Sequence, residues 1–356
     1  MAESSQFPFI TVVMPVRNEE LFIEGTLGEI LNQEYPPNRF EVIVADGGST
    51  DRTCEIVKRI AITYPQVILI PNPCGLSSSG RNIGFKNGRG DIFIVIDGHC
   101  KINNRRLFKD IVTCFAKSDA QCLGRPQPLD PPGISPFQKA VALARSSWMG
   151  HNGSSFIYSN FEGYVSPLSH GAIYKKEVFQ KTGYVDESFD ACEDVEFNYR
   201  VEKSGFKTYM SPSLSIKYFP RENVDALFHQ MKRYGRGRFN LIRKHPEAFN
   251  LTTCIPPMFV ICFFLLFPLS VFRSLSHTPF FLFAHIALSF LFGLYILLLI
   301  AESMHLSMKN GLKSFFYFPS IFFSIHFGLG WGFLSALFHS SILKFSSAVR
   351  VLRTDV

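Results

Sequence analysis

Charged residues are absent from three long stretches in the last third of the chain. Residues 251–272, 274–301 and 314–343 contain no Asp, Glu, Lys or Arg. A helix needs about 20 apolar residues to cross the hydrocarbon core of a bilayer, and each stretch is long enough. Core helices of a large soluble domain are the alternative, but such helices usually keep a polar face. We therefore expect a membrane region of about three apolar helices over residues 251–343, followed by a basic tail over 344–356.

The sequence also lacks an export signal and closely spaced cysteine pairs. The first ten residues, MAESSQFPFI, have neither the basic start nor the apolar core of a signal peptide. The eight cysteines include no Cys-x-x-Cys pair, which gives neither a zinc pattern nor a readable disulfide framework. These absences predict reduced thiols and an N-terminal domain that stays in the cytoplasm. The protein is then a multi-pass protein of the cell (inner) membrane.

Basic residues outnumber acidic ones, with a formal net charge of +7. Eight Lys or Arg residues fall between positions 217 and 244, directly before the first apolar stretch, against two acidic residues. A basic belt in this place fits the positive-inside rule and attracts anionic lipid head groups. No nucleic-acid recognition motif accompanies the charge, so we expect a lipid bilayer as partner and no nucleic acid.

Strands and helices alternate through the first hundred residues. Apolar runs predict strands at 10–14, 40–45, 67–70 and 91–96, and helices at about 19–33, from 51, and at 77–87. Further on, the pattern predicts helices at 107–115, 135–149 and 194–203 and a strand at 171–174. This alternation indicates an α/β fold with a parallel sheet covered on both faces. Such sheets bind ligands at the carboxyl ends of their strands.

Three polar clusters fall where that fold would bring them to one cleft. They are Asp46 with Ser49 and Asp51 after the second strand, Asp97 with His99 after the fourth, and Glu193 with Asp194 at the start of a helix. Each alone has an ordinary explanation, because turns favour Asp and Gly, and helix starts favour acidic residues. Together they suit transfer from a nucleotide diphosphate. A divalent cation held at Asp97 and His99 neutralises the leaving group, and a carboxylate takes a proton from the acceptor hydroxyl.

Five segments resemble the family 2 glycosyltransferases of the GT-A fold. They are VVMPVRNEE (12–20), VIVADGGSTDRT (42–53), GLSSSGRNIGFKNGRGDIFIVIDGH (75–99), GAIYKKEVFQKTGYVDESFDACEDVEFNYRVEKSGFK (171–207) and QMKRYGRGR (230–238). The resemblance implies a Rossmann-like, nucleotide-diphospho-sugar transferase domain over residues 1–245. Its donor half spans about 8–100 and its acceptor half about 101–245, and C-terminal transmembrane helices follow. Bacterial exopolysaccharide glycosyltransferases of the succinoglycan type are similar in their Asp-Gly-His motif and trailing apolar segments.

The resemblance also implies a role for each matching residue. The donor is contacted by Pro15, Glu19, Asp46, Ser49, Arg81 and Asp97. Asp97 and His99 take the positions of the Asp-x-Asp metal motif, and the imidazole of His99 favours Mn²⁺ over Mg²⁺. Asp194 occupies the position of the catalytic base, with Glu193 beside it. Gln230, Arg233 and Tyr234 resemble the Gln-x-x-Arg-Trp motif, with Tyr in place of Trp, and contact the diphosphate or the acceptor.

The implied activity is inverting sugar transfer from a nucleotide-sugar donor, UDP-glucose by resemblance, to a lipid-linked or other saccharide acceptor in cell-surface polysaccharide synthesis. A polyprenyl-phosphate sugar transferase is one alternative. A catalytically silent membrane scaffold that binds nucleotide sugar is another, although the retained Asp46, Asp97, Asp194 and Arg233 argue against it.

The third apolar stretch allows two paths. It crosses the membrane once at about 315–341, or it breaks at Pro319 and the glycines of 328–332. The broken stretch would form a re-entrant pair, or an interfacial helix plus a hairpin, and leave the tail inside. Alternate glycines at 328, 330 and 332 predict close helix packing.

Overall fold

The computed structural model describes residues 7–151, 156–275 and 278–354, which form two compact units. The first unit is Met1–Ile134 with Gly153–Pro220, and the second is Ser135–Asn152 with Arg221–Val356. The predicted domain boundary near residue 245 differs from this division in two places. Residues 135–152 and 221–245 belong to the second unit, because their helices pack into its apolar core.

The first unit is an α/β fold built on one mixed sheet. Its strands are β1 (Ile10–Val16), β2 (Phe40–Asp46), β3 (Val67–Pro71), β4 (Ile92–Val95), β6 (Cys122–Gly124), β7 (Gly163–Val165), β8 (Gly171–Lys175) and β9 (Thr208–Met210), and β5 (Cys100–Lys101) pairs separately with β10 (Lys217–Tyr218). The strand order is β3-β2-β1-β4-β8-β6-β9-β7. The first four of these strands are parallel, whereas β8 runs antiparallel to β4 and β6. The predicted parallel sheet with covered faces is thus confirmed for the N-terminal half.

Helices cover the sheet and set the positions of its loops. They are α1 (Ile23–Leu31), α2 (Thr53–Thr63), α3 (Ser77–Asn87), α4 (Leu107–Lys117), α6 (Pro167–His170), α7 (Lys176–Thr182) and α8 (Glu193–Lys203). Every residue of β2 is buried, as expected for a parallel strand with helices on both faces. Helix α3 lies close against β1, because a Cβ on Gly84 would come within 2.3 Å of Val13 Cγ1.

The second unit is helical. It contains α5 (Pro136–Ser146), α9 (Val224–Lys244), α10 (Ile255–Leu275), α11 (Pro279–Asn310) and α12 (Phe318–Thr354). A capping box starts α5, in which the Ser135 side chain accepts from the Gln138 N–H and the Gln138 side chain accepts from the Ser135 N–H. The buried face of α5 then joins the apolar core formed by α9, α11 and α12; its members are Ala140, Val141, Ala144, Leu227, Met231, Leu299, Leu306, Phe318, Ile321, Phe322 and Ile325.

Helices α9 and α12 approach each other at glycines. A Cβ on Gly235 of α9 would lie 2.0 Å from the Leu329 carbonyl oxygen, and one on Gly332 of α12 would lie 2.0 Å from the Lys232 carbonyl oxygen. Gly330 faces α10, where an added Cβ would lie 2.2 Å from the Pro256 carbonyl oxygen. The close packing predicted for the glycines of 328–332 is therefore confirmed.

Two helical segments among the described residues are long and apolar enough to cross a membrane. They are Pro279–Asn310 and Leu312–Ser340. In the most apolar part of the first, 6% of the residues are buried, against 44% in the second, so α11 does not resemble the core helix of a soluble protein. The first predicted span falls on α10, several of whose side chains lie outside the described part. Helix α12 is continuous from Phe318 to Thr354, so of the two paths left open by the sequence, the one that breaks at the glycines of 328–332 is wrong.

Candidate functional site

The loop after β1 is held against the loop after β2 by a set of polar contacts. Asn18 adopts a left-handed conformation with φ of 57°, and its side-chain oxygen accepts from the Thr50 N–H at 2.8 Å. Its own N–H donates to Ser49 Oγ at 2.9 Å. The Thr53 hydroxyl accepts from the Glu19 N–H at 2.7 Å. These bonds hold the two loops together at the edge of the sheet where both begin.

Asp46 ends β2 at this edge and is nearly buried. Its carboxylate accepts from the N–H groups of Gly48 and Ser49 and from the Ser49 hydroxyl. Burial acts to raise the pKa of Asp46, but the hydrogen bonds from Ser49, Cys54 and Gly48 outweigh it, so the pKa lies below its usual value. An ionised carboxylate at the end of this strand is suited to accept hydrogen bonds from the hydroxyl groups of a sugar or the N–H groups of a base.

Asp97, Gly98 and His99 follow β4 at the same edge. Thr26 of α1 holds this loop, since its hydroxyl lies 2.7 Å and 2.9 Å from the carbonyl oxygens of Gly98 and Cys100. Nδ1 of His99 lies 2.8 Å from Oε1 of Glu19. Within the described part of the chain, no hydrogen-bond donor contacts the Asp97 carboxylate, and no three His, Cys, Asp or Glu side chains form a metal-binding group.

The donor set after β4 fits a divalent cation that shares its ligands with a bound diphosphate. Asp97 offers a partly exposed carboxylate, and His99 offers an imidazole already oriented by a carboxylate. Cations in such sites take one or two protein side chains and fill their other positions with water and phosphate oxygens. A two-residue site is therefore consistent with the absence of a three-residue group among the described side chains.

Arg81 of α3 forms an ion pair with the start of α8. Its guanidinium lies 3.3 Å from Oε1 of Glu193, and both side chains are nearly buried. Burial acts to lower the pKa of Arg81, but the negative charges of Glu193, Asp194 and Asp97 outweigh it and raise the pKa. The Asp97 and Asp194 carboxylates are thus near enough to influence the charge of Arg81, and Glu193 contacts it directly.

Glu193 and Asp194 differ in environment although they are adjacent. Burial raises the pKa of Glu193, Arg81 acts to lower it, and the charge of Asp194 adds to the rise. Asp194 is partly exposed, and its Oδ1 lies 2.9 Å from the Val195 N–H in the first turn of α8. Cys192 precedes them in a left-handed conformation, with φ of 61°, and turns the chain into the helix. Glu193 is thus bound to Arg81, while Asp194 faces solvent.

Pro15 and three residues of α9 complete the predicted set. Pro15 lies in β1 beside α3. A Cβ added to Gly80 of α3 would lie 2.9 Å from the Cβ of Pro15. Gln230, Arg233 and Tyr234 lie on α9 in the second unit, where the Gln230 side-chain amide donates to the Tyr234 hydroxyl at 3.3 Å. Arg233 is exposed. Their contact with a diphosphate or an acceptor stays a prediction.

Sequence reasoning missed Arg125, which follows β6 and is 2% exposed. Its Nη2 donates to the Val95 carbonyl oxygen at 2.9 Å and to the Tyr218 hydroxyl at 2.6 Å. Nε and Nη1 have no partner among the described residues. The Tyr218 ring contacts the His99 ring edge to face, with centroids 6.2 Å apart. Arg125 thus supports the end of β4 and, through Tyr218, the loop after it. The one feature of the sequence that could have indicated Arg125 is its position directly after a short apolar run.

Comparison with known sequences gives matches over most of the chain. The family described as "Glycosyl transferase family 2" matches residues 11–183, and "Glycosyl transferase family group 2" matches residues 136–334. The succinoglycan biosynthesis protein ExoA of Rhizobium meliloti is 34% identical over 250 residues, which cover 69% of this chain and 73% of that protein.

One further relative and one solved structure cover nearly the whole chain. The dolichyl N-acetyl-alpha-D-glucosaminyl phosphate 3-beta-D-2,3-diacetamido-2,3-dideoxy-beta-D-glucuronosyltransferase of Methanococcus voltae is 26% identical over 92% of this chain and 97% of its own length. Among solved structures, the mannosyltransferase PcManGT of Pyrobaculum calidifontis, in complex with GDP-Man and Mn²⁺, aligns with a TM-score of 0.54 at 17% identity. The alignment covers 89% of this chain and 87% of that one, and it shows that the fold is shared.

Proposed function

We propose that this chain, which belongs to glycosyl transferase family 2 and is a glycosyltransferase, moves a sugar from a nucleotide diphosphate donor to a lipid-linked saccharide. UDP-glucose is the first donor to be considered. The transfer inverts the configuration at the anomeric carbon. The observation that carries the proposal is the arrangement around Arg81. The Arg81 guanidinium contacts Glu193 at 3.3 Å, and the charges of Asp194 and Asp97 also raise its pKa, which supports one site for the proposed cation and the proposed base.

The proposed mechanism assigns each side chain a task that fits its environment. Asp46, held ionised by Ser49, accepts hydrogen bonds from the nucleoside of the donor. Asp97 and His99 would hold the divalent cation, Mn²⁺ or Mg²⁺, which neutralises the charge of the leaving diphosphate when bound. The complex of PcManGT with GDP-Man and Mn²⁺ supports a divalent cation beside the donor.

Asp194 is the base in this mechanism, because it is partly exposed whereas Glu193 is bound to Arg81. The acceptor oxygen attacks the anomeric carbon as the bond from that carbon to the diphosphate oxygen breaks, and the acceptor proton passes to Asp194. A single displacement of this kind inverts the configuration. Glu193 stays beside Arg81 and keeps the first turn of α8 in place.

The proposed acceptor and location follow from the relatives and from the second unit. The names of the two relatives refer to succinoglycan biosynthesis and to a dolichyl-linked sugar phosphate, so we propose a role in assembling a surface polysaccharide or glycoconjugate on a lipid carrier. The candidate spans indicate membrane association. We propose a multi-pass protein of the cell membrane with the first unit in the cytoplasm, where nucleotide sugars are made.

Nucleotide release from a panel of UDP- and GDP-sugars tests this function. We expect membranes containing the protein to release UDP from UDP-glucose when a lipid-linked saccharide is present. We also expect EDTA to abolish the release and Mn²⁺ or Mg²⁺ to restore it. The variant Asp97→Asn should remain inactive after the metal is returned. Full activity in EDTA would contradict the cation assignment, and transfer to a bare polyprenyl phosphate would identify the alternative acceptor.

A further inference from the structure

Glu19 and His99 are 80 residues apart in sequence and in contact in the structure. Oε1 of Glu19 lies 2.8 Å from Nδ1 of His99, and the side chains are 15% and 27% exposed. A carboxylate only accepts hydrogen bonds, so the hydrogen of this bond is on Nδ1 of the ring. In the neutral imidazole the lone pair is then on Nε2, which is the nitrogen able to coordinate a cation.

Both partners are fixed by neighbours other than each other. The Glu19 N–H donates to Thr53, and the Glu19 carbonyl accepts from the N–H groups of Phe22 and Ile23 at the start of α1. The loop of His99 is held by Thr26 through the Gly98 carbonyl. A Cβ on Gly98 would lie 2.9 Å from Cγ of Glu19, so the close approach of this side chain requires glycine at position 98.

We propose that Glu19 is a positioning residue for His99 and does not contact the nucleoside. The inference rests on the cation site of the proposed function and concerns how the chain prepares one ligand of that site. A carboxylate on the far nitrogen of a metal-binding histidine fixes the ring orientation and its tautomer, and loss of such a partner costs about 10- to 100-fold in metal affinity. Glu19 meets this description through its contact with Nδ1.

The pairing makes a specific claim about substitution of His99. In aspartate and asparagine, as in histidine, the first heteroatom is bonded to Cγ. One carboxylate oxygen of the His99→Asp variant would therefore occupy the place of Nδ1, 2.8 Å from Oε1 of Glu19. Two carboxylates at that distance cannot both be ionised at low cost. The His99→Asp variant therefore needs a neutral residue in place of Glu19 in order to offer an ionised carboxylate to the cation. The His99→Asn variant can keep the hydrogen bond to Glu19 but has no counterpart of Nε2.

The experiment measures Mn²⁺ binding by the full-length protein in detergent. Free Mn²⁺ is followed by electron paramagnetic resonance at saturating UDP, or GDP if the wild-type chain prefers it. The variants are Glu19→Ala, His99→Asn, His99→Asp and the double variant Glu19→Gln with His99→Asp. Glu20→Gln is the matched control, because Glu20 is an exposed neighbour of Glu19 whose side chain accepts from the Arg52 N–H. Nucleotide affinity and thermal unfolding are measured in EDTA for each variant.

We expect Glu19→Ala to weaken Mn²⁺ binding about 10- to 100-fold while nucleotide affinity in EDTA stays unchanged. His99→Asn should weaken Mn²⁺ binding as much and keep the unfolding temperature, and Glu20→Gln should resemble wild type. The double variant should bind Mn²⁺ more tightly than His99→Asp alone. This rescue is not expected if Glu19 serves only the fold.

Two results would overturn the inference. One is a Glu19→Ala variant that binds Mn²⁺ normally but loses nucleotide affinity in EDTA, which would make Glu19 a nucleoside contact. The other is a double variant no better than His99→Asp. A wild-type chain that binds no Mn²⁺ with either nucleotide would instead contradict the cation site of the proposed function.

Discussion

Single residues in the cleft have different tasks because their surroundings differ, even for neighbours in sequence. Glu193 is buried against Arg81, whereas Asp194, one residue later, is partly exposed. The sequence predicted that this pair matters, since two acids at a helix start match the family motif. It could not predict which acid is bound to an arginine 112 positions earlier, because that contact depends on how α3 and α8 pack.

The same difficulty applies to Glu19 and Arg125. The resemblance places Glu19 near the nucleoside, and only the folded chain brings it to His99. Arg125 gave almost no signal, since one charged residue after a short strand is ordinary. Its burial and its bonds to Val95 and Tyr218 are properties of the tertiary structure.

Asp194→Asn is the residue-scale test of the proposed base. The change keeps the shape of the side chain but removes its ability to take a proton, so we expect turnover to fall about 10²- to 10⁴-fold. Binding of the nucleotide, measured by calorimetry, should change little. Glu202→Gln removes an exposed carboxylate from the same helix and should leave turnover at the wild-type level. Unchanged turnover in Asp194→Asn with lost nucleotide binding would make Asp194 a binding residue.

At the scale of elements, prediction was best for the alternating strands and helices of the N-terminal half. The strands predicted at 10–14, 40–45, 67–70 and 91–96 correspond to β1 to β4, and the helix predicted at 77–87 is α3. The two-residue strands β5 and β10 were not predicted, because so short a pairing depends on the partner rather than on a pattern along the chain. The helix predicted from residue 51 begins at Thr53, since Asp51 instead accepts from the Thr53 N–H and hydroxyl.

The contact between α9 and α12 provides an element-scale prediction. Gly332→Ala would place a methyl group 2.0 Å from the Lys232 carbonyl oxygen, so the helices must separate. Overpacking of this kind costs about 1–3 kcal/mol, and we expect a lower unfolding temperature in detergent.

The matched control for this contact is Gly293→Ala in α11. An added Cβ there meets no atom within 4 Å, and alanine favours a helix by about 0.5–1 kcal/mol over glycine. Its unfolding temperature should therefore stay the same or rise. Equal unfolding temperatures for Gly332→Ala and the wild type would show that the two helices are not in contact in the protein as purified.

On the scale of the whole molecule, the membrane path follows from which helix packs along α9. Exposed arginines and lysines keep α9 out of the hydrocarbon core, and α12 accompanies it from the glycine contact at Lys232 to the bond between Arg243 and Ser340. We therefore predict that α10 and α11 cross as a hairpin and that α12 lies at the cytoplasmic interface. On this path, Arg273 is the only Lys or Arg after residue 250 that lies outside the cell. This agrees with the positive-inside rule, by which basic residues stay on the cytoplasmic side.

Cysteine labelling with an impermeant thiol reagent checks this path. A cysteine at Thr354 should react only after cells are lysed, and one at Thr278, between α10 and α11, should react in intact cells. The wild-type chain, which has its own cysteines, gives the background. Reaction of the Thr354 variant in intact cells would mean that α12 crosses the membrane.

The second unit is built from two separate parts of the chain, residues 135–152 and 221–356. This has a practical consequence for the production of a soluble enzyme. Removing everything after residue 245 would leave α5 without the helices that cover Ala140, Val141 and Ala144, and an uncovered apolar face promotes aggregation. A soluble version would have to end near Pro220 and also replace residues 135–152 with a polar linker. It would lack Gln230, Arg233 and Tyr234, so it is suited to measuring donor binding. Exchange of catalytic domains between relatives would need matching junctions at those same three places in the chain.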